Sequence, residues 1–269
     1  MESDMLPPVN IIDCREARYM LFNTNDAISN VLYRSGQWEE YLLTISRFLI
    51  EGIDAPIIVD IGTNLGAYSI PLAKSIQSKG GVVYGYEPQK TIYYQLCGNI
   101  VLNRLDNYEA ANVALGEQNC SIDIPYIDYD NHHNIGAFSM IKALRDELDV
   151  EKYCNYKKLI ATPMITLDSV ELPKSPSLIK IDVEGYELNV LKGGTKFLKK
   201  HCYPPLLFEA WGETWFAQQR SELLAYFAKL GYEITLNIGA EYVAQHPANP
   251  VRVDFQRQEG GGINMLKLR

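Results

Sequence analysis

The sequence predicts an α/β fold: a Rossmann-like open parallel sheet with helices on both faces. Three observations carry this. Short β-branched or apolar runs (Ile57 to Ile61, Val82 to Glu87, Leu178 to Glu184 and the LLFE segment ending at Glu209) alternate with segments of helical period. The first run is apolar on both faces, the mark of a strand buried within a parallel sheet. Directly after it a glycine turn leads into a helix, and in such sheets ligands sit at the carboxyl ends of the strands, at the topological switch point.

Taken in order, Trp38, Tyr41, Leu42, Ile45, Phe48 and Leu49 fall at helical spacing, with Gly52 where a helix would stop. Residues 1–52 are therefore expected to form a helical preface, and residues 53–269 one domain. Within that domain a helix is expected around 67–78, kinked at Pro71 by the missing backbone donor. A strand ending at Glu87, a helix over 92–102 and a third strand in YEAANVAL follow. Residues 120–166 interrupt the alternation with an extended stretch, a polar turn-rich stretch, a short helix and another extended stretch, so they read as a lid-like insertion. The alternation resumes with LIKIDVE, a helix over 186–198 broken by Gly193 and Gly194, the LLFE strand and a helix carrying Leu223, Leu224, Phe227 and Leu230 on one face. YEITLNI and INMLKLR are expected to close the sheet as a terminal pair of strands.

Composition narrows the function classes. The 269 residues include 25 basic and 33 acidic side chains, a net charge of −8, with a pI near 5.1. No basic run provides the footprint that polyanion binding needs, so a nucleic-acid partner is not expected. The acidic, proline-containing start lacks the pattern of a secretory signal, and no apolar stretch is long enough for a membrane span. Five scattered cysteines without a C-x-x-C pair suggest a reduced, cytoplasmic setting, with neither a disulfide framework nor a zinc site. His132 and His133, beside Asp128 and Asp130, invite a metal or base reading, but short polar loops of this kind are more often turns. No metal is expected. His201 and His246 read as surface residues.

Three motifs carry chemistry. In IVDIGTNLGAYS, a buried strand runs through Asp60, Gly62 and Gly66 into a helix, exposing backbone amides to a ligand. Asn64 stands where a dinucleotide fold would need its second glycine, so a nicotinamide-dependent oxidoreductase is disfavoured. Glu87, 25 positions beyond Gly62, ends the next strand, where a carboxylate can accept both hydroxyls of a ribose. In LIKIDVEGYEL, Lys180, Asp182 and Glu184 alternate with apolar residues, which puts the three ionisable groups on one strand face. Charges there are costly to bury unless paired or used.

These motifs give the chain a resemblance to the FkbM-type family of S-adenosylmethionine-dependent methyltransferases. The resemblance runs from about Ile57 to the C-terminus through VDIGTNLGAYS, YGYEPQ, NIVLN with Asn99 and Asn103, GAFS, ITLDSV, IKIDVEGYELNVLKGG and LLFE. Thr63 and Leu65 depart mildly from the usual DIGANIG form. The resemblance implies a seven-stranded sheet of order 3-2-1-4-5-7-6 with the last strand antiparallel. It implies S-adenosylmethionine as cofactor, with Asp60, Gly62, Thr63, Asn64 and Gly66 at the methionine moiety and its turn, Glu87 at the ribose, and Asn112, Val113 and Ala114 beside the adenine. The implied acceptor is a small molecule or glycan, methylated on a sugar hydroxyl. Asp182 is then the first candidate for general base, Glu184 the second and Lys180 their charge partner, with Glu209 a third carboxylate at the same mouth. Trp38 is either part of a sugar-binding wall with the carboxylates of Glu39 and Glu40, or an anchor that packs its helix on the sheet. N-methylation of an amine, or a nucleotide-binding protein without turnover, are the alternatives.

Overall fold

The structure, a computed structural model, describes residues 6–129, 134, 136–258 and 260–268, so His132 and His133 lie outside the described residues. The N-terminal segment is not purely helical. β1 (Val9–Asp13) and β2 (Arg18–Phe22) form an antiparallel hairpin before α1 (Ala27–Ser35) and α2 (Glu40–Ile50). Five-residue strands give too few alternations to stand out from the sequence alone. Asp26 caps α1 by accepting from the Ser29 amide at 2.9 Å, and Gly36 ends it in a left-handed conformation.

The alternating section follows as β3 (Ile57–Ile61), α3 (Ser69–Gln77), β4 (Val82–Tyr86), α4 (Lys90–Leu102) and β5 (Tyr108–Ala111). The YEAANVAL segment then divides, its second half forming β6 (Ala114–Gly116) in a separate sheet with β7 (Cys120–Ile127) and β8 (Cys154–Thr166). α5 (Lys142–Glu147) lies between β7 and β8. This insertion has its own small apolar cluster of Ile124, Ile127, Tyr129, Phe138 and Val150, joined to Phe22 and Ile92 of the body. After β9 (Leu178–Ile181), the Gly193–Gly194 pair splits the expected helix into α6 (Glu187–Lys192) and α7 (Thr195–Lys200). β10 (Leu206–Glu209), α8 (Ala217–Lys229), β11 (Glu233–Ile238), β12 (Glu241–Gln245), β13 (Arg252–Arg257) and β14 (Ile263–Leu268) complete the chain.

The main sheet has the order β5-β4-β3-β9-β10-β12-β11, which is 3-2-1-4-5-7-6, and β12 runs antiparallel to both its neighbours. The fold class is the Rossmann-like one expected. One strand is assigned differently from the sequence reading: the last sheet strand is Glu241–Gln245, and INMLKL pairs instead with β13 in a separate hairpin. Gly239, at φ 62°, permits the tight turn that returns the chain beside β11.

Alternate residues of the central strands feed two apolar layers. Ile58, Leu178, Leu207 and Val243 face the layer built with α2 and α3. Ile57, Val59, Ile61, Ile179, Ile181, Leu206 and Phe208 face the layer built with α6 and α8. Each fully buried side chain of this kind contributes roughly 1.5–3 kcal/mol. Two residues onward on the first face, at the carboxyl ends of the parallel strands, Asp60, Lys180 and Glu209 interrupt the apolar series.

Two local features differ from expectation. Pro71 is the third residue of α3, where a missing donor breaks no bond within the helix, so it imposes no kink. The Ala67 carbonyl, which an amide at position 71 would have met, accepts from the Tyr19 hydroxyl at 3.3 Å. His201, expected at the surface, is 5% exposed and its Nδ1 lies 3.0 Å from Ser175 Oγ.

Candidate functional site

The site is built where β3, β4, β9 and β10 end. Gly62, at φ 85°, lets β3 and β9 close together: a Cβ on it would lie 1.7 Å from the Asp182 carbonyl oxygen. Thr63 turns its hydroxyl inward, 2.8 Å from Ser69 Oγ and 2.6 Å from the Tyr108 hydroxyl. Tyr108 reaches there from β5 by passing over Gly85, where a Cβ would meet its oxygen at 2.5 Å. Asn64, at φ 50°, donates its amide to Glu87 Oε2 at 2.9 Å, and Gln89 donates its amide to Oε1 at 2.8 Å. Each Glu87 oxygen so keeps acceptor capacity for one more donor. Burial pushes the Glu87 carboxyl up to about 7.

The sheet register explains the charged centre. Asp60 stands opposite Lys180, and both are almost wholly buried. Lys180 Nζ lies 2.5 Å from Asp182 Oδ2, 3.9 Å from Glu39 Oε2 and 5.0 Å from the centre of the Tyr68 ring. Neither Asp60 oxygen makes a hydrogen bond of good geometry, although the Thr63 and Ser69 hydroxyls are near enough to favour its charged form. Burial outweighs them and Lys180, and raises its carboxyl above the usual range.

Glu184, at φ 55°, follows on a loop that Glu187 pins, since Glu187 Oε1 accepts the amides of Val183 and Gly185, each at 3.1 Å. Across the sheet, Glu209 pairs with Glu241. Oxygens of Asp182, Glu184 and Glu209 lie within 4.8 Å of one another. Burial, with Asp182 alongside, raises Glu184 well above the carboxylate range and Glu209 to about 11. Carboxylates so close either share protons or gather a cation.

One cavity of about 290 Å³ joins these groups. Asp60, Gly62, Thr63, Asn64, Glu87, Val113, Ala114, Lys180, Asp182, Glu184 and Glu209 all line it, as does Trp38, which also packs against the core. Two anticipated residues act from behind. Gly66 packs against Ile70 and Leu96, and the Asn112 amide donates to the carbonyls of Glu87 and Pro88 at 2.8 and 3.0 Å. Glu39, grouped with Trp38 and Glu40 from the sequence, lines the cavity while Glu40 does not; sequence reasoning missed Trp211 in the lining, and Tyr108 and Glu187 as supports. For Glu187 a local signal existed, a second glutamate three residues after Glu184; for Tyr108 none did.

A family model described as the methyltransferase FkbM domain matches residues 60–234. A tRNA(Phe) (4-demethylwyosine(37)-C(7)) aminocarboxypropyltransferase of Methanocaldococcus jannaschii is 34% identical over 80 residues, which is 30% of each chain. Among solved structures, an FkbM methyltransferase of Methylobacillus flagellatus is 16% identical, with a TM-score of 0.48 over 81% of this chain and 58% of that one. An S-adenosylmethionine-dependent O-methyltransferase of Thermotoga maritima is 12% identical, with a TM-score of 0.46 over 96% of this chain and 72% of that one.

Proposed function

The chain belongs to the FkbM methyltransferase domain family, whose cofactor is S-adenosylmethionine, and from that premise we propose that it methylates a hydroxyl of a sugar or glycan-like small molecule. The observation that supports this reading is the convergence of an adenosine-type site and the Lys180–Asp182–Glu184 group on one cavity. The residues present fit the cofactor: Glu87 retains acceptor capacity for a diol, and the buried Asp60 has oxygens unmatched by any donor of good geometry. Once bound, the cofactor supplies an electrophilic methyl group on a sulfonium.

In this reading Glu87 orients the ribose, and Val113 and Ala114 flank the adenine. Lys180 fixes the Asp182 carboxylate, which takes the acceptor's hydroxyl proton as the oxygen attacks in line. Glu184 is the second candidate base; burial and the neighbouring Asp182 favour its protonated form, so it can serve only after losing its own proton. Trp38 and Trp211 give the cavity apolar walls that limit water.

A second reading, N-methylation of an amine, is favoured by charge. Glu39, Asp60, Asp182, Glu184 and Glu209 line the cavity against a single lysine, Lys180. The same excess of carboxylates disfavours a polyanion such as the tRNA named for the curated relative. Incubating the protein with methyl-labelled cofactor and panels of saccharides, amino compounds and RNA, then weighing the products, separates these readings. Label on a saccharide oxygen supports the first. Label only on nitrogen or on RNA overturns it.

A further inference from the structure

Glu39 lies outside the family-matched residues 60–234, immediately before α2, yet it lines the cavity. Its backbone is left-handed, at φ 47° and ψ 46°, and its side chain makes no capping bond to the helix it precedes. A non-glycine residue held there is strained, and such strain gathers at functional sites. Of the non-glycine residues with positive φ among the described residues, Glu39, Asn64 and Glu184 line this cavity. The Trp38 side chain is near enough to favour the charged form of Glu39, but its Oε2 is buried without a hydrogen bond, and Lys180 Nζ at 3.9 Å is already bound to Asp182 at 2.5 Å. Asp60, 1% exposed and also without a well-formed hydrogen bond, shares Lys180 as its neighbouring cation.

Buried carboxylate oxygens short of donors gather around one lysine, so this corner lacks a charged group with several N–H bonds to give. The strand order indicates its source. The cavity runs from Glu87 at the end of β4 past Gly62 after β3 to Lys180 at the end of β9, two strand spacings or about 10 Å away, so a cofactor whose ribose met Glu87 would have room to lay its remaining chain towards this corner. That end of the cofactor carries an α-ammonium group.

We propose that Glu39 closes the cofactor site from the N-terminal segment, accepting hydrogen bonds from the α-ammonium of the cofactor's methionine moiety together with Asp60. The inference rests on S-adenosylmethionine being the cofactor. It gives the segment before the family domain a binding role and accounts for the strained backbone at Glu39.

Calorimetry with two defined ligands tests it: S-adenosylhomocysteine, which carries the ammonium, and 5′-methylthioadenosine, which keeps the adenosine and sulfur but lacks the amino-acid portion. Glu39→Gln should weaken S-adenosylhomocysteine binding by about tenfold or more, the scale for a hydrogen bond to a charged group. Its affinity for 5′-methylthioadenosine should stay near the wild-type value. Glu39→Gly should show the same selective loss while its Tm rises, because glycine releases the left-handed strain; a purely structural residue would not trade affinity for stability in this way. Wild-type affinity for S-adenosylhomocysteine in both variants, or an equal loss for both ligands, would overturn the inference. If the wild-type protein bound neither ligand, the cofactor assignment itself would fall, and the inference with it.

Discussion

At the scale of single residues, the centre of the site is a lysine surrounded by more carboxylates than it can neutralise. Lys180 is 3% exposed, and its closest ionic contact is Asp182. Asp182→Asn keeps the shape and removes the base, so turnover on a verified acceptor should fall roughly 10²–10⁴-fold while affinity for S-adenosylhomocysteine changes little. Glu184→Gln made in parallel separates the two carboxylates. If both variants keep normal turnover, alignment alone drives the reaction and neither is the base. Glu87 has a different role, and its truncation should be read in binding. Glu87→Ala should weaken cofactor binding by roughly 1–3 kcal/mol, measured by calorimetry. Tighter binding of NAD than of S-adenosylhomocysteine by the wild-type protein would contradict the whole site.

At the scale of elements, the site depends on how the N-terminal hairpin is fastened to α4. Asn99 accepts the Met20 amide at 2.6 Å and donates to the Leu65 carbonyl at 2.9 Å, linking β2 to the loop after β3. Gln95 donates to the Met20 carbonyl, and Asn103 accepts the Arg18 amide and donates to the Arg18 carbonyl. These side chains imitate a neighbouring strand and satisfy part of β2's free edge. Asn99→Ala would leave the buried Leu65 carbonyl and the half-buried Met20 amide without these partners, at a cost of about 1–3 kcal/mol for the carbonyl and less for the amide, which water can reach. Urea denaturation should show that loss of stability, accompanied by weaker cofactor binding because the Leu65 loop is released. Unchanged stability would mean that the hairpin docks through apolar contacts alone.

At the scale of the whole molecule, the buried carboxylates make folding sensitive to pH. Burial raises Glu39, Glu87 and Glu187 to about 7 from an ordinary value of 4.5. The folded chain keeps these protons to higher pH than the unfolded chain does, so unfolding releases protons between about pH 4.5 and 7. Their contribution to stability therefore falls as pH rises through that window and levels off above it. The ligand-free protein should melt at lower temperature at pH 7.5 than at pH 6, and Glu39→Gln should reduce the difference. A melting temperature that rose over this interval would show that these carboxyls are ionised in the fold. The insertion over 120–166 is a candidate lid, and proteolysis should nick it before the sheet. Release of that stretch as a separately folded fragment would count against one domain over 53–269.

Local periodicity made much of this protein legible in its sequence. Buried strands alternating with helices fixed the fold class, because each pattern repeats within a few residues. The glycine turn, the carboxylate one strand later, and the alternation of Lys180, Asp182 and Glu184 are equally local, and the residues expected at the site do line one cavity, apart from Gly66 and Asn112 behind it. What tertiary structure alone decided comes from parts of the chain far apart in sequence. Glu39 comes within 3.9 Å of Lys180 from the segment before the first main-sheet strand, Glu241 meets Glu209 only because β12 turns back beside β10, and Tyr108 reaches Thr63 across a glycine on the strand between them. The physical reason is that strand order and register bring such side chains together, and neither is encoded in the spacing of neighbouring residues. The exchange of INMLKL for EYVAQ as the last sheet strand has the same cause: both segments are short and extended, and only pairing with β10 distinguishes them.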